Sequence, residues 1–322
     1  MKNVFLICLL LSGSIIAQSF KQDYRVEQNI KGGAKEIGEY NFVEYSVKSN
    51  DGAELYQIID KVDYDIPYSK LEVFEDGSSV LISSFYGTLT FISNDGTETK
   101  NVKISDEIKV DYERSILSVV DKENVVILID EQNGKISSIM KYRNNGVFER
   151  EIRIPIANVN GIAYSTKLNQ IYISHIKWKN SGELNKRVTL MNSSGEVTKS
   201  FEASFEKGFF TDDNQFIGVS NKSIFSISTT ELELKYEVKA DTNSIFIDIT
   251  EENNSIVLIQ TKNPKLENGE WRYKNPTIKR IDSSGSIIKQ TKYEVEDFSK
   301  YKFNRSQNNL EFITDNEKIV IE

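Results

Sequence analysis

The chain has 322 residues, with 40 basic and 48 acidic side chains, one His, one Cys and a formal charge of −8 at neutral pH. That balance excludes general nucleic-acid binding, which depends on neutralising phosphates, and a polybasic membrane mode. One His excludes a multi-histidine metal centre, and the length supports a large core without crosslinks.

Residues 1–17 read as an export signal: Lys2 is basic, Val4–Leu11 is apolar and uncharged, Ser12-Gly13-Ser14 breaks the run, and Ile15-Ile16-Ala17 offers a cleavage site before Gln18. The apolar run is too short to span a bilayer, so no stable membrane insertion is expected after cleavage. Cys8 lies inside this segment, preceded by Leu6-Ile7 rather than by a small residue, which argues against lipid attachment. The mature chain then holds no Cys, which removes disulfides and thiolate chemistry. Residues 18–40, including Gly32-Gly33, read as a lead; residues 41–322 read as one domain, since Pro is scarce and no Ser- or Gly-rich linker interrupts them.

No stretch keeps helical spacing beyond a few turns. Short runs rich in Val, Ile, Phe, Tyr and Thr follow one another instead, which predicts an all-β chain. Polar turns closing on Gly recur at Ser49-Asn50-Asp51-Gly52, Ser93-Asn94-Asp95-Gly96, Arg143-Asn144-Asn145-Gly146, Asn192-Ser193-Ser194-Gly195 and Asp282-Ser283-Ser284-Gly285. Ser228-Thr229-Thr230-Glu231 is a degenerate copy without the Gly. Such turns supply the positive φ of tight hairpins. Aligned on them, the runs form a four-strand unit: Lys70–Phe74, Ser79–Ser84, Thr88–Ile92 and Thr97–Ile104. Four more copies span Ile116–Ile154, Gly161–Ala203, Gly208–Lys239 and Ile245–Glu294.

The periodicity predicts a β-propeller of six four-stranded blades, with seven as the alternative count. The closing blade would combine Asn41–Val47 and Ala53–Ile59 with Tyr301–Arg305, Leu310–Thr314 and Lys318–Ile321, one strand more than four. A pair of sandwiches or a solenoid fits less well, because every unit keeps the same phase. The fourth run is also the most charged, as in Glu149-Arg150-Glu151-Ile152-Arg153, which suits an outer edge.

The hairpins Leu190–Val197 and Arg280–Ile287 are similar to those of TolB-like, NHL-like and quinoprotein-like propeller repeats, where an apolar strand ends in Asp/Asn-x-x-Gly before the outer strand. The resemblance spans about residues 40–322 and implies the propeller fold. It carries over no functional residue, since the Trp-Asp dipeptide, the kelch Gly-Gly pair and the regular Trp pattern of quinoprotein dehydrogenases are absent. A signal segment with an Asn-, Lys- and Ile-rich composition points to a bacterial envelope protein, periplasmic or extracellular.

His175 is the sole candidate for Ser-His-Asp chemistry, and no Gly-x-Ser-x-Gly elbow accompanies it, so it reads as polar lining. Asp106, Glu107, Asp111, Glu113 and the turn Asp212-Asp213-Asn214 offer oxygen ligands without the full calcium-loop pattern; no cofactor is assigned, and calcium is the one ion these segments suit. Glu75, Asp248 and Asn304 are the acidic and amide candidates for a metal-dependent hydrolase or lyase in a central channel.

The sharper signal is insertion length. The second-to-third-strand connection expands in two units, to Ile176–Lys186 with Trp178 and to Lys262–Pro276 with Trp271, Arg272 and Tyr273. These are the only two Trp in the chain, and both positions should emerge on one face. Exposed Trp, Tyr and Arg anchor interfaces, and sites favour long connections on rigid scaffolds. The reading is an exported scaffold binding a protein, peptide or glycan through Trp178, Lys179, Arg187, Trp271, Arg272 and Tyr273. The channel enzyme is the alternative, disfavoured by inner runs that look mostly apolar.

Overall fold

The computed structural model describes residues 24–31, 41–49, 52–62, 69–83, 87–104, 116–120, 123–130, 136–165, 167–178, 184–211, 215–252, 255–267, 270–295, 301–306, 309–314 and 318–321. The regular elements among them are 28 β-strands. None of the described residues forms a helix long and apolar enough to cross a membrane.

Five antiparallel meanders carry four strands each. They are β4 (Ser69–Val73), β5 (Ser79–Ser83), β6 (Thr88–Ile92) and β7 (Glu98–Lys103); β8 (Ile116–Val120), β9 (Asn124–Asp130), β10 (Ser137–Arg143) and β11 (Phe148–Ile154); β12 (Val159–Ser165), β13 (Gln170–Trp178), β14 (Leu184–Asn192) and β15 (Val197–Phe201); β16 (Lys207–Phe210), β17 (Gln215–Val219), β18 (Ser223–Ser228) and β19 (Leu234–Lys239); and β20 (Ser244–Glu252), β21 (Ser255–Lys262), β24 (Thr277–Ile281) and β25 (Ile287–Lys292). A small hairpin, β22 (Lys265–Glu267) and β23 (Glu270–Arg272), sits between β21 and β24. Three-stranded sheets flank the five: β1 (Tyr24–Lys31), β2 (Asn41–Ser49) and β3 (Glu54–Val62) before them, β26 (Tyr301–Ser306), β27 (Asn309–Thr314) and β28 (Lys318–Ile321) after. In chain order these are the first to seventh sheets.

The five repeat units stand where the periodicity predicts them. The ends differ from expectation. Tyr24–Lys31, read as part of a lead, is a strand fully paired to β2 from Tyr24↔Ser49 to Lys31↔Phe42. Each end therefore contributes three strands, and the described pairings form two separate sheets rather than one shared closing blade. The strand was missed because β1 meets β2 without the polar-turn-Gly signal that marked the other hairpins.

Middle strands are apolar on both sides because each sheet is covered on both faces. Along β9, Val125, Ile127 and Ile129 pack with Phe74, Val80, Leu89 and Phe91 of the second sheet, whereas Val126 and Leu128 pack with Ile162, Ile171 and Ile173 of the fourth. Along β13 the alternation sends Ile171 and Ile173 to that cluster and Tyr172 into an aromatic cluster with Phe205, Phe216 and Phe225 toward the fifth sheet. Along β21, Ile256 and Leu258 face the fifth sheet while Val257 and Ile259 face away from it. Each such side chain, fully buried, contributes about 1.5–3 kcal/mol. Strands β1, β4, β8, β12 and β16 neighbour one another in turn, so the first strands of the first five sheets lie innermost around a common axis. The outermost strands β7 and β25 are mostly exposed, which accounts for their charge.

The recurring turns explain their own composition. In Ser93–Gly96 the Ser93 N–H donates to Thr97 O and the Gly96 N–H to Ser93 O, both at 2.9 Å, with a ladder bulge at Phe91/Ile92. The Asp95 carboxylate accepts from the Thr97 N–H at 2.9 Å, a local bond that Asn or Asp makes and an apolar residue cannot. The degenerate copy is one residue longer: Leu232 N–H donates to Ser228 O, and Leu232 itself takes the positive φ, 54°.

Candidate functional site

Connections from second to third strands meet those from each outer strand to the next inner strand along one edge of the sheets. Ile176 N–H donates to Asn158 O, Asn263 N–H to Asn243 O and Tyr293 N–H to Pro276 O. The Gly turns meet the first-to-second-strand turns at the opposite edge, as in Asn144 Nδ2 to Asp76 Oδ2 (3.1 Å) and Asn169 Nδ2 to Ser193 Oγ (2.7 Å). Both expanded connections therefore emerge on one face, as their place in the repeat predicts.

Neither insertion is the loop expected of it. In the fourth sheet the ladder runs on past the blade through His175↔Arg187, Ile176↔Lys186, Lys177↔Asn185 and Trp178↔Leu184, a stiff two-stranded ribbon with Trp178 closing the β13 side. In the sixth sheet Lys265↔Arg272, Leu266↔Trp271 and Glu267↔Glu270 form a separate small ribbon. Polar composition hid both, because a solvent-facing ribbon lacks the apolar signal of a buried strand. Trp178 and Arg187 share one ribbon; Trp271 and Arg272 sit on the other, with the fifth sheet between. Lys179 lies outside the described residues. Tyr273 is half-buried against Val257, Ile259, Ile278 and Val295, and burial raises its hydroxyl above the ordinary tyrosine value, so it covers its own blade. Arg272 is half-buried as well.

Arg187 is better placed than its sequence position indicated. It lies on β14, three rungs below the ribbon's end, opposite His175. Its Nε donates to Ser200 Oγ at 3.0 Å, Thr189 Oγ1 lies 3.3 Å from the same Ser200 oxygen, and His175 Nε2 is 2.9 Å from Thr189 Oγ1. Burial pushes the His175 imidazole below its ordinary pKa, and the charges of Arg187 and Lys177 push it further the same way. The half-buried ring is thus a neutral hydrogen-bonding group, polar lining as expected, with cations beside it.

A second polar group lies along the axis, where the sequence reading saw mainly apolar runs. On β4, Glu72 is buried and pairs with Lys70, and Ser118 Oγ of β8 donates to its carboxylate at 3.0 Å. Lys207, at the start of β16, stays open to solvent along the axis, yet the protein crowded around it lowers its ammonium below the usual lysine range; Asp248 opposes that shift and Lys70 reinforces it. Asp248 follows a bulge at Phe246/Asp248 in β20, and its Oδ1 accepts from the Ile249 N–H at 2.8 Å. Inner strands were misjudged because Lys70, Glu72, Ser118 and Lys207 are divided among three strands, so no single run reads as a polar site, whereas the ring brings them together. Among the described residues no three His, Cys, Asp or Glu come together as metal ligands. The acidic segments 106–113 and 212–214 lie outside the described residues.

No family model matches the chain, and no curated protein does. Solved structures match over most of its length. The Dos1 propeller superposes with a TM-score of 0.55 at 10% identity, over 94% of this chain and 81% of that one. Virginiamycin B lyase from Staphylococcus aureus gives 0.53 at 15% identity, over 92% and 98%. A protein of unknown function from Bacteroides caccae gives 0.51 at 11% identity, over 84% and 94%. The fold is a β-propeller. At these identities the likeness is one of fold alone, and the site rests on this chain's own residues.

Proposed function

We propose that this propeller is an exported binding scaffold that engages a protein, peptide or glycan on the face carrying its two ribbons. The observation supporting the reading is the continuation of the β13–β14 ladder beyond the blade to Trp178↔Leu184. Main-chain pairing holds that ribbon without packing it into the core, an arrangement that costs ordering entropy and is suited to presenting side chains outward. The second ribbon places Trp271 on the same face. Interfaces draw their binding energy from a few aromatic and Arg anchors of this kind.

The test uses tagged mature protein, residues 18–322, and its Trp178→Ala/Trp271→Ala variant on native envelope extract, with captured species identified by mass spectrometry. A partner retained by the parent and lost by a variant of unchanged thermal stability supports the scaffold. A variant that unfolds shows that the two Trp cover their blades instead. Export is tested by fractionation and by N-terminal sequencing, with Gln18 expected as the first residue.

The axial group favours a second reading, chemistry in the central channel, with Lys207 and the Lys70–Glu72–Ser118 cluster as the polar residues available. A hydrolase and lyase substrate panel, run with and without added divalent metal, separates it from the scaffold. Turnover that is lost in Lys207→Met supports the channel.

A further inference from the structure

The fourth-sheet ribbon gathers positive charge on an acidic protein. Between positions 175 and 187 stand Lys177, Lys179, Lys186 and Arg187 against the single acid Glu183, in a chain whose formal charge is −8. The ladder decides which of these share a face. His175 lies opposite Arg187, and Lys177 opposite Asn185. Alternation places these four on the side that carries Ile171, Ile173 and Met191 lower down the same strands, facing the third sheet. The depression of His175 by both Arg187 and Lys177 reflects the same proximity.

Arg187 and Lys177 are diagonal neighbours on this face, within reach of each other for long side chains, so their like charges repel. The described surroundings do little to offset this. Arg187 engages Ser200 through Nε alone, and among the described residues neither Arg187 nor Lys177 forms an ion pair with an acid. The face therefore offers a half-buried guanidinium fork and a second, exposed cation.

We propose that this face of the ribbon docks an acidic peptide segment. Carboxylates of the segment seat on Arg187 and Lys177. Arg binds carboxylate through paired parallel hydrogen bonds, which fixes orientation as well as adding attraction. An acidic peptide brings several carboxylates at short, fixed spacing, able to meet the cations of two neighbouring rungs at once, whereas a free phosphate brings a single anionic centre. The proposal rests on the scaffold reading of the ribbon face and narrows its ligand.

The experiment is fluorescence anisotropy with a fluorescein-labelled decapeptide of alternating Glu and Ser, using the mature chain and the variants Arg187→Gln, Lys177→Gln and, as a control on the outer strand β25, Lys292→Gln. Lys177 is exposed, so its replacement leaves the fold intact. The parent should bind the peptide, more weakly as salt rises. Each ribbon variant should lose about tenfold in affinity, and Lys292→Gln should match the parent. A Gln/Ser peptide should not bind. Equal affinity for all four proteins, or no binding by any, overturns the proposal; the scaffold reading then still stands if the double-Trp variant loses a partner that the parent captures. Binding of polygalacturonate with the same dependence on Arg187 and Lys177, at an affinity matching the peptide's, overturns the peptide assignment in favour of an anionic glycan.

Discussion

Gly195 meets two requirements at once. Its φ is +86°, a region that L side chains rarely adopt, and a Cβ there would stand 2.5 Å from Ile152 Cγ2 on the outer strand of the preceding sheet. Gly285 repeats the arrangement, with a Cβ falling 2.4 Å from Tyr236 Cγ. Gly52 shares the backbone requirement, φ +90°, but would meet nothing within 4 Å. Ala at position 52 should therefore cost about 1 kcal/mol, whereas Gly195→Ala should add an overpacking penalty of about 1–3 kcal/mol. Urea denaturation of both variants separates the terms, and equal costs would show that the inter-sheet contact relaxes freely. The turn itself was legible in the sequence, because Asn/Asp-x-x-Gly encodes local geometry. The close approach was not, since Ile152 is distant in the chain and nothing local signals it.

The chain's single His gives a second residue-level prediction that one resolved NMR signal can read. His175 should titrate below about 6.5 and move back toward that value in Arg187→Gln, because Arg187 is the larger of the two charges depressing it. The sign for stability follows. The folded imidazole has the lower pKa, so its contribution is complete above the unfolded value and declines as pH falls below it. An unshifted titration in Arg187→Gln would separate the two side chains.

At the scale of elements, one cross-link ties the connection after β19 to the sheet that follows it. Lys279 of β24 is buried, and its Nζ donates to Asp241 Oδ1 at 2.7 Å and to Gln260 Oε1 at 3.1 Å, while Gln260 Nε2 donates to Asp241 Oδ2 at 2.8 Å. Lys279→Ala should destabilise by about 1–3 kcal/mol, the lower half being favoured because half of the Asp241 side chain remains in water. Lys279, then Gln260, holds the Asp241 carboxyl below the usual carboxylate range. The contribution is present above the unfolded pKa of about 3.9 and is lost as pH falls through the lower folded value. Asp241→Asn should remove that part of the acid sensitivity, measured as the difference in urea midpoint between neutral and acid pH. No sequence pattern marks the cross-link: Lys279 interrupts the apolar alternation of its strand and looks like a surface position. The ribbons illustrate the converse. Their location in the repeat was readable from insertion length, but their β character was not, because polar exposed strands carry no burial signal.

For the whole molecule, five of the seven large sheets were readable because each carries the same turn in the same phase, and their middle strands are apolar on both faces as stacking demands. The ends escaped because closure is a property of the ring rather than of any segment. The functional geography divides likewise. The face bearing both ribbons follows from repeat position, whereas the axial group of Lys70, Glu72, Ser118 and Lys207 appears only when the inner strands are brought around one axis. Charge is uneven too: the ribbon between positions 175 and 187 is basic on a chain that is acidic overall, so a ligand attracted to it is steered to one face.

The most direct test removes the ribbon and keeps the blade. Replacing residues 176–186 by Asn-Gly joins His175 to Arg187 through a two-residue turn at positions already paired, a geometry that such turns favour. Capture from native envelope extract is then compared between parent and shortened protein, with thermal unfolding as the control. The scaffold account predicts unchanged cooperative unfolding and loss of the captured partner. A shortened protein that folds and still captures the same partner would contradict it.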